Sequence, residues 1–163
     1  MSAMVCVAEY RDVHDNVQQQ QQPQAASNKE HVTLDNNVKY WFDNINVLGK
    51  GNQGSVFKAA SADGSLIALK IAPKVSSQND REYANLVKVN HPSVVRVLGQ
   101  ATVRRGTVDC LAIGMELVDG TSYDTYLKTL KNGKIDWQDA AEDFIQLICG
   151  MKEVHNQVLT LFR

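Results

Sequence analysis

Cysteine is scarce in this chain: Cys6, Cys110 and Cys149 are the only three in 163 residues, and they lie far apart. An odd number with no C-x-x-C spacing and no histidine cluster beside it offers neither a disulfide framework nor a zinc site of ordinary ligand spacing. A reducing cytosol is the simplest compartment. Long hydrophobic runs are missing too; none approaches the ~20 residues that a membrane-spanning helix needs. Residues 1–12 lack the basic start and extended apolar core of a secretory signal. Charge of one sign is also wanting, since the formal net charge is -1. That balance gives no reason to propose nucleic acid or an anionic membrane as a partner.

What remains is ordinary globular material, 44% hydrophobic and 21% charged, long enough for one domain of the usual ~100–150 residues. Residues 1–37 are the exception in texture. They are polar and contain Gln18-Gln19-Gln20-Gln21-Gln22-Pro23-Gln24, too poor in apolar groups to offset the entropy of ordering. This stretch reads as a flexible Gln-rich leader, a spacer or alternatively a targeting or secretion leader.

From Val38 onward short apolar segments alternate with turn signals. Ile45 to Leu48, Val56 to Ala60, Leu66 to Ile71, Val94 to Gly99 and Leu111 to Val118 read as five strands, with Asp63-Gly64 as a hairpin turn and another turn near Arg104-Arg105-Gly106. Ser76 and Ser77 open a helix that carries Glu82, Leu86, Val87 and Lys88, the two apolar residues on one face, and that stops at Asn90-His91-Pro92. After Asp119-Gly120 the pattern turns helical, from about Ser122 to Leu130 and, beyond the polar break Lys131 to Lys134, from Trp137 to about Asn156. There Phe144, Leu147, Ile148, Met151 and Val154 recur at three- and four-residue steps and form one apolar stripe.

The chemistry-bearing constellation begins with Leu48-Gly49-Lys50-Gly51-Asn52-Gln53-Gly54-Ser55-Val56, a G-x-G-x-x-G-x-V loop. Alone it is a weak signal, because dinucleotide-binding folds use the same glycines to lead from a strand into a helix. Here Ser55-Val56-Phe57-Lys58-Ala59 continues as a strand. With Ile67-Ala68-Leu69-Lys70 downstream and Glu82 nine residues ahead of His91-Pro92, the segment from about 43 to 157 resembles the protein kinase family, serine/threonine type, over its amino-terminal lobe and the first helices of its carboxy-terminal lobe. The implied fold is α+β, a five-stranded antiparallel sheet with one main helix. The implied domain plan is a leader at 1–37, an ATP-binding lobe at 38–118, and a hinge with an incomplete second lobe at 119–163.

By that resemblance Gly49, Gly51 and Gly54 let backbone N–H groups approach the phosphates of ATP, and Val56 lies over the purine. Lys70 meets the α- and β-phosphates and Glu82 holds it there as an ion pair. Met115 occupies the gatekeeper position, the Glu116 carbonyl and Val118 backbone face the adenine edge, and Ser122 approaches the ribose. Val56, Ala68 and Tyr123 match the family's adenine sandwich, and Leu86 with Val97 the upper half of its regulatory stack. Gln53 departs from the aromatic or small residue usual at the loop tip. His155 matches a packing histidine.

The family's transfer step uses an H-R-D aspartate as base and an Asn and a D-F-G Asp as magnesium ligands; neither motif occurs in these residues, so no metal ligand is assigned. The expectation is therefore a truncated kinase that retains an ATP site without turnover of its own, cytoplasmic in location. Two alternatives stand beside it: a non-catalytic regulatory module that docks or self-associates through Phe144, Leu147, Ile148, Met151 and Val154, and an effector kinase delivered to a host cell.

Overall fold

Exposed and buried residues alternate along Lys39-Tyr40-Trp41-Phe42, with Tyr40 and Phe42 at 6% and 5% exposure, the signature of a strand covered on one face. The same alternation runs through Val32 and Leu34 just upstream, both buried. In a computed structural model of the chain, which describes residues 29–52, 54–74, 83–130 and 135–159, these segments belong to one antiparallel sheet. Its strands are β1 (Glu30–Thr33), β2 (Lys39–Gly51), β3 (Gly54–Ser61), β4 (Leu66–Pro73), β5 (Val97–Arg105) and β6 (Val108–Glu116), in the spatial order β1-β2-β3-β4-β6-β5. Two helices follow, α1 (Tyr123–Thr129) and α2 (Trp137–Leu159).

The α+β class is as expected, with one strand more than the five read from the sequence. The extra strand, β1, lies inside the stretch assigned to the leader. It pairs with β2 from Glu30↔Phe42 to Thr33↔Lys39, and it forms because Val32 and Leu34 bring to the sheet the apolar cover that the glutamine tract lacks. The glutamine tract, the Ser76/Ser77 start of the first helix and the Lys131 to Lys134 break lie outside the described residues.

The sheet has two working faces. On one, Phe57 and Ala59 of β3, Leu69 and Ile71 of β4 and Ala112 of β6 join Val32, Leu34, Tyr40 and Phe42 in a single buried cluster. The strands at the two ends of the sheet order, β1 and β5, meet over this cluster: Arg105 donates to both Glu30 carboxylate oxygens at 2.9 Å. Its guanidinium also lies 5.5 and 5.1 Å from the ring centroids of Phe42 and Phe57, a cation–π arrangement that anchors the closure. On the other face Leu111, Ile113 and Met115 of β6 pack with Val95, and Ala68, Tyr83, Val97 and Val118 close around them.

The β3–β4 hairpin turns at Asp63-Gly64 as expected, with Gly64 at φ 86°. The Asp63 carboxylate accepts from the Ser61 hydroxyl and from the Ser65 N–H, and these bonds, Ser61 first, hold its pKa below the ordinary carboxylate value.

Three local expectations are corrected. Val94 and Val95 stand ahead of β5 rather than in it and are buried beneath the sheet's helical cover, Val94 with Leu86 and Val89; a β-branched run marks burial as readily as it marks a strand. Leu86 and Val87 do not share a face. Leu86 is buried and Val87 half exposed, since residues adjacent in a helical turn are rotated by about 100°. The apolar stripe of α2 also divides. Val154 packs on the Leu86 cluster and Gly150 sits against the 93–94 loop, where a Cβ would come 3.2 Å from that of Ser93, whereas Phe144, Ile148 and Met151 remain exposed.

Candidate functional site

The glycine-rich segment is a hairpin closed by the sheet itself. Gly49 stands opposite Val56, Lys50 opposite Ser55 and Gly51 opposite Gly54, which puts Asn52 at its tip. Gln53 lies outside the described residues. The glycines do different work. Gly54 has φ +113°, and a Cβ there would collide with the Ile71 carbonyl and with Ala72; glycine is required on both counts. Gly49 and Gly51 have nothing within 4 Å of the position a Cβ would take, which leaves the hairpin's backbone open to a ligand. Leu48 flanks the hairpin at 51% exposure.

Upstream, β2 carries an irregularity that detaches this hairpin from the regular ladder. Between Phe42↔Ala59 and Val47↔Phe57 the register of β2 advances farther than that of β3. Asp43 stabilises the extra residues, its carboxylate accepting from the N–H groups of Ile45 at 3.0 Å and Asn46 at 2.8 Å.

The remaining site residues meet through register. Val56 faces Lys70 across β3 and β4, and Lys70 faces Ile113 across β4 and β6; one step along, Lys58 faces Ala68 and Ala68 faces Met115. Directly opposed residues in an antiparallel sheet project to the same face, so Val56, Ala68, Lys70 and Met115 share the face away from the Phe57–Leu69 cluster. Met115 is buried and Val56, Ala68 and Lys70 are half-buried. A lysine that shares a sheet face with Val56, Ala68 and Met115, opposite the strand that leaves the glycine hairpin, is suited to an anionic ligand with an apolar body. Lys58 belongs to this face as well, though it carries no motif; its alternation with Val56 is the signal that places it.

The strand-to-hinge turn is braced from Arg96, just ahead of β5. The Glu116 N–H donates to the Arg96 carbonyl at 2.9 Å, and the Glu116 carboxylate accepts from the Arg96 N–H at 2.8 Å. Val118 packs on the Met115 cluster. Ser122 caps α1, its hydroxyl oxygen accepting from the Thr125 N–H at 3.2 Å and sharing a 2.9 Å bond with the Thr125 hydroxyl. Tyr123 is 38% exposed at the start of the same helix. Glu82, expected to pair with Lys70, lies outside the described residues; the helical turn at 83–86 follows directly from it.

Among the described residues no group of three or more His, Cys, Asp or Glu side chains comes together, and no helix is long and apolar enough to cross a membrane. Cys110 is buried and Cys149 exposed, both as free thiols.

The protein kinase domain model matches residues 42–161. Over 119 residues the chain is 32% identical to a probable LRR receptor-like serine/threonine-protein kinase of Arabidopsis thaliana, covering 71% of this chain and 11% of that protein. It is 34% identical over 101 residues to cysteine-rich receptor-like protein kinase 24 of the same plant, with 59% and 15% covered, and 31% identical over 119 residues to its PR5-like receptor kinase, with 70% and 17% covered. The chain thus spans less than a fifth of the length of these relatives.

Proposed function

The chain belongs to the protein kinase family, and on that premise we propose that its glycine hairpin and the amine of Lys70 hold the phosphates of ATP while the Val56–Ala68–Met115 face receives the purine. The single observation that carries this reading is the register: four residues from three strands, singled out by motif, fall on one face beside an open hairpin. Leu48 and Val56 would cover the adenine, and backbone N–H groups of the glycine hairpin, from Gly49 to Asn52 and from Gly54 to Ser55, would face phosphate oxygens. The Glu116 carbonyl and Val118 backbone would take the adenine edge, Ser122 the ribose, and Glu82 would hold Lys70 in place.

Phosphate transfer is a matter of placing the acceptor and neutralising charge on the transferred group. ATP fits the residues present, since open space lies over Gly49 and Gly51. The magnesium that the family uses with it does not find its ligands here, because neither an H-R-D nor a D-F-G occurs in the sequence. These 163 residues by themselves would then bind nucleotide without turning it over, as part of a serine/threonine-type kinase and in a reducing compartment. The pure chain, given ATP, magnesium and a generic protein substrate, should show saturable nucleotide binding and no transfer. Transfer abolished by Lys70→Met would refute the second half of this reading.

The α2 surface favours a second reading, a lobe that docks on another protein. Phe144, Ile148 and Met151 are 60%, 58% and 56% exposed along one side of the helix, while Leu147 and Val154 lie on its more covered side. A tight protein complex unaffected by ATP would favour the docking role over the nucleotide-binding one.

A further inference from the structure

Residues 30–36 reach from one edge of the sheet to the other and end on the helical turn beside the proposed ATP site. Leu34 is 2% exposed and fills the space left by two glycines, since a Cβ at Gly99 would sit 3.2 Å from that of Leu34 and one at Gly114 would strike the Leu34 side chain. Asp35 then pairs with the open edge of β5. Its N–H donates to the Gln100 carbonyl at 2.8 Å, and one carboxylate oxygen accepts the Gln100 N–H at 3.0 Å. The Asn36 side-chain amide donates to the Leu98 carbonyl at 3.0 Å. The second carboxylate oxygen of Asp35 accepts from the Tyr83 hydroxyl at 3.1 Å.

Tyr83 is the residue after Glu82, and it opens the turn at 83–86. Its ring packs on the Met115 cluster, and the Val87 N–H donates to its carbonyl at 2.9 Å. The protein kinase match begins at residue 42, so Asp35 lies upstream of it. We propose that Glu30 to Asn36 form a strap whose Asp35–Tyr83 hydrogen bond positions the turn at 83–86 against the sheet face that carries Lys70 and Met115. Asp35 and Tyr83 are positioning residues in this role, and the proposal rests on the nucleotide reading above for its functional consequence. Partial burial and the nearby Asp35 carboxylate both raise the Tyr83 pKa, in keeping with a hydroxyl that stays a donor.

Tyr83→Phe removes one oxygen and keeps the ring in its cluster. Backbone amide exchange over residues 83–89 and nucleotide affinity are measured on the full chain for wild type, for Tyr83→Phe, and for Phe42→Leu, which loosens the opposite core without touching Tyr83. The expected result for Tyr83→Phe is faster exchange at 83–89, unchanged exchange at 66–73, and nucleotide affinity weakened about two- to tenfold, the range that one hydrogen bond's worth of coupling gives. Phe42→Leu should lack this local pattern. Unchanged exchange at 83–89 overturns the strap, and faster exchange with unchanged affinity overturns its positioning role. If wild type binds no nucleotide, the nucleotide reading fails and the positioning role fails with it, while the exchange data still decide whether Asp35 restrains the turn.

Discussion

Val56 of β3 stands directly across from Lys70 of β4, so the valine that ends the glycine hairpin and the amine of the neighbouring strand project from the same face of the sheet. The pairing gives the loop motif and the lysine, separated in sequence, a common address. It also fixes which changes should disturb the site and which should disturb only the fold.

Gly54 and Gly51 face each other across the hairpin but should respond very differently to alanine. Gly54→Ala forces a side chain into positive φ and into the backbone at Ile71 and Ala72, for an expected loss of about 2–4 kcal/mol. Gly51→Ala, with open space around it, should stay within about 0.5 kcal/mol of wild type. Urea denaturation of both variants decides; equal losses would mean that the hairpin does not rest on Ile71 in this way.

Leu34→Ala should cost about 2–5 kcal/mol, the range for truncating a buried leucine, although Leu34 lies upstream of the residues that match the family. A change below about 0.5 kcal/mol, the usual scale of surface substitutions, would show that the strap is not part of the cooperative fold.

How far these features were legible in the sequence depended on the length scale of the signal. The β3–β4 turn and the hairpin announced themselves through Asp63-Gly64 and the spaced glycines, whose backbone needs are local. Val56, Ala68, Lys70 and Met115 are singled out by the family resemblance, but that they share one face comes only from the strand register. The strand β1 was not legible, because four residues beside a glutamine tract carry too short a pattern. Nor was the Asp35–Tyr83 bond, which joins residues 48 positions apart through folding alone. The α2 stripe was read as one surface because helical spacing reveals which residues are apolar, not which neighbour each one finds.

The Tyr83 hydroxyl supplies a pH test of the strap. Its pKa is raised in the fold by burial first and by Asp35 second. A raised folded value favours the protonated form, so its contribution is fully present below the unfolded tyrosine value of about 10 and is lost as pH rises through the folded value. Stability measured from pH 9 upward should therefore fall more steeply in wild type than in Tyr83→Phe. Parallel curves would remove Asp35 as a partner of that hydroxyl.

The exposed side of α2 predicts association. Ile148→Glu combined with Met151→Glu should shift the chain toward monomer in sedimentation velocity and reduce binding of a hydrophobic dye, as expected for a contiguous apolar patch in water. Wild type that is monomeric and dye-negative at high concentration would contradict this.

The most direct test of the nucleotide site is calorimetric titration of ATP into the wild-type chain and into Lys70→Met, with circular dichroism to confirm that both are folded. Removing a charge-assisted contact worth about 1.5–3 kcal/mol predicts saturable binding by wild type and affinity lower by roughly ten- to a hundredfold in the folded variant. Equal affinities, or no saturable binding by wild type, would contradict the assignment of the hairpin and Lys70 as a phosphate-holding site.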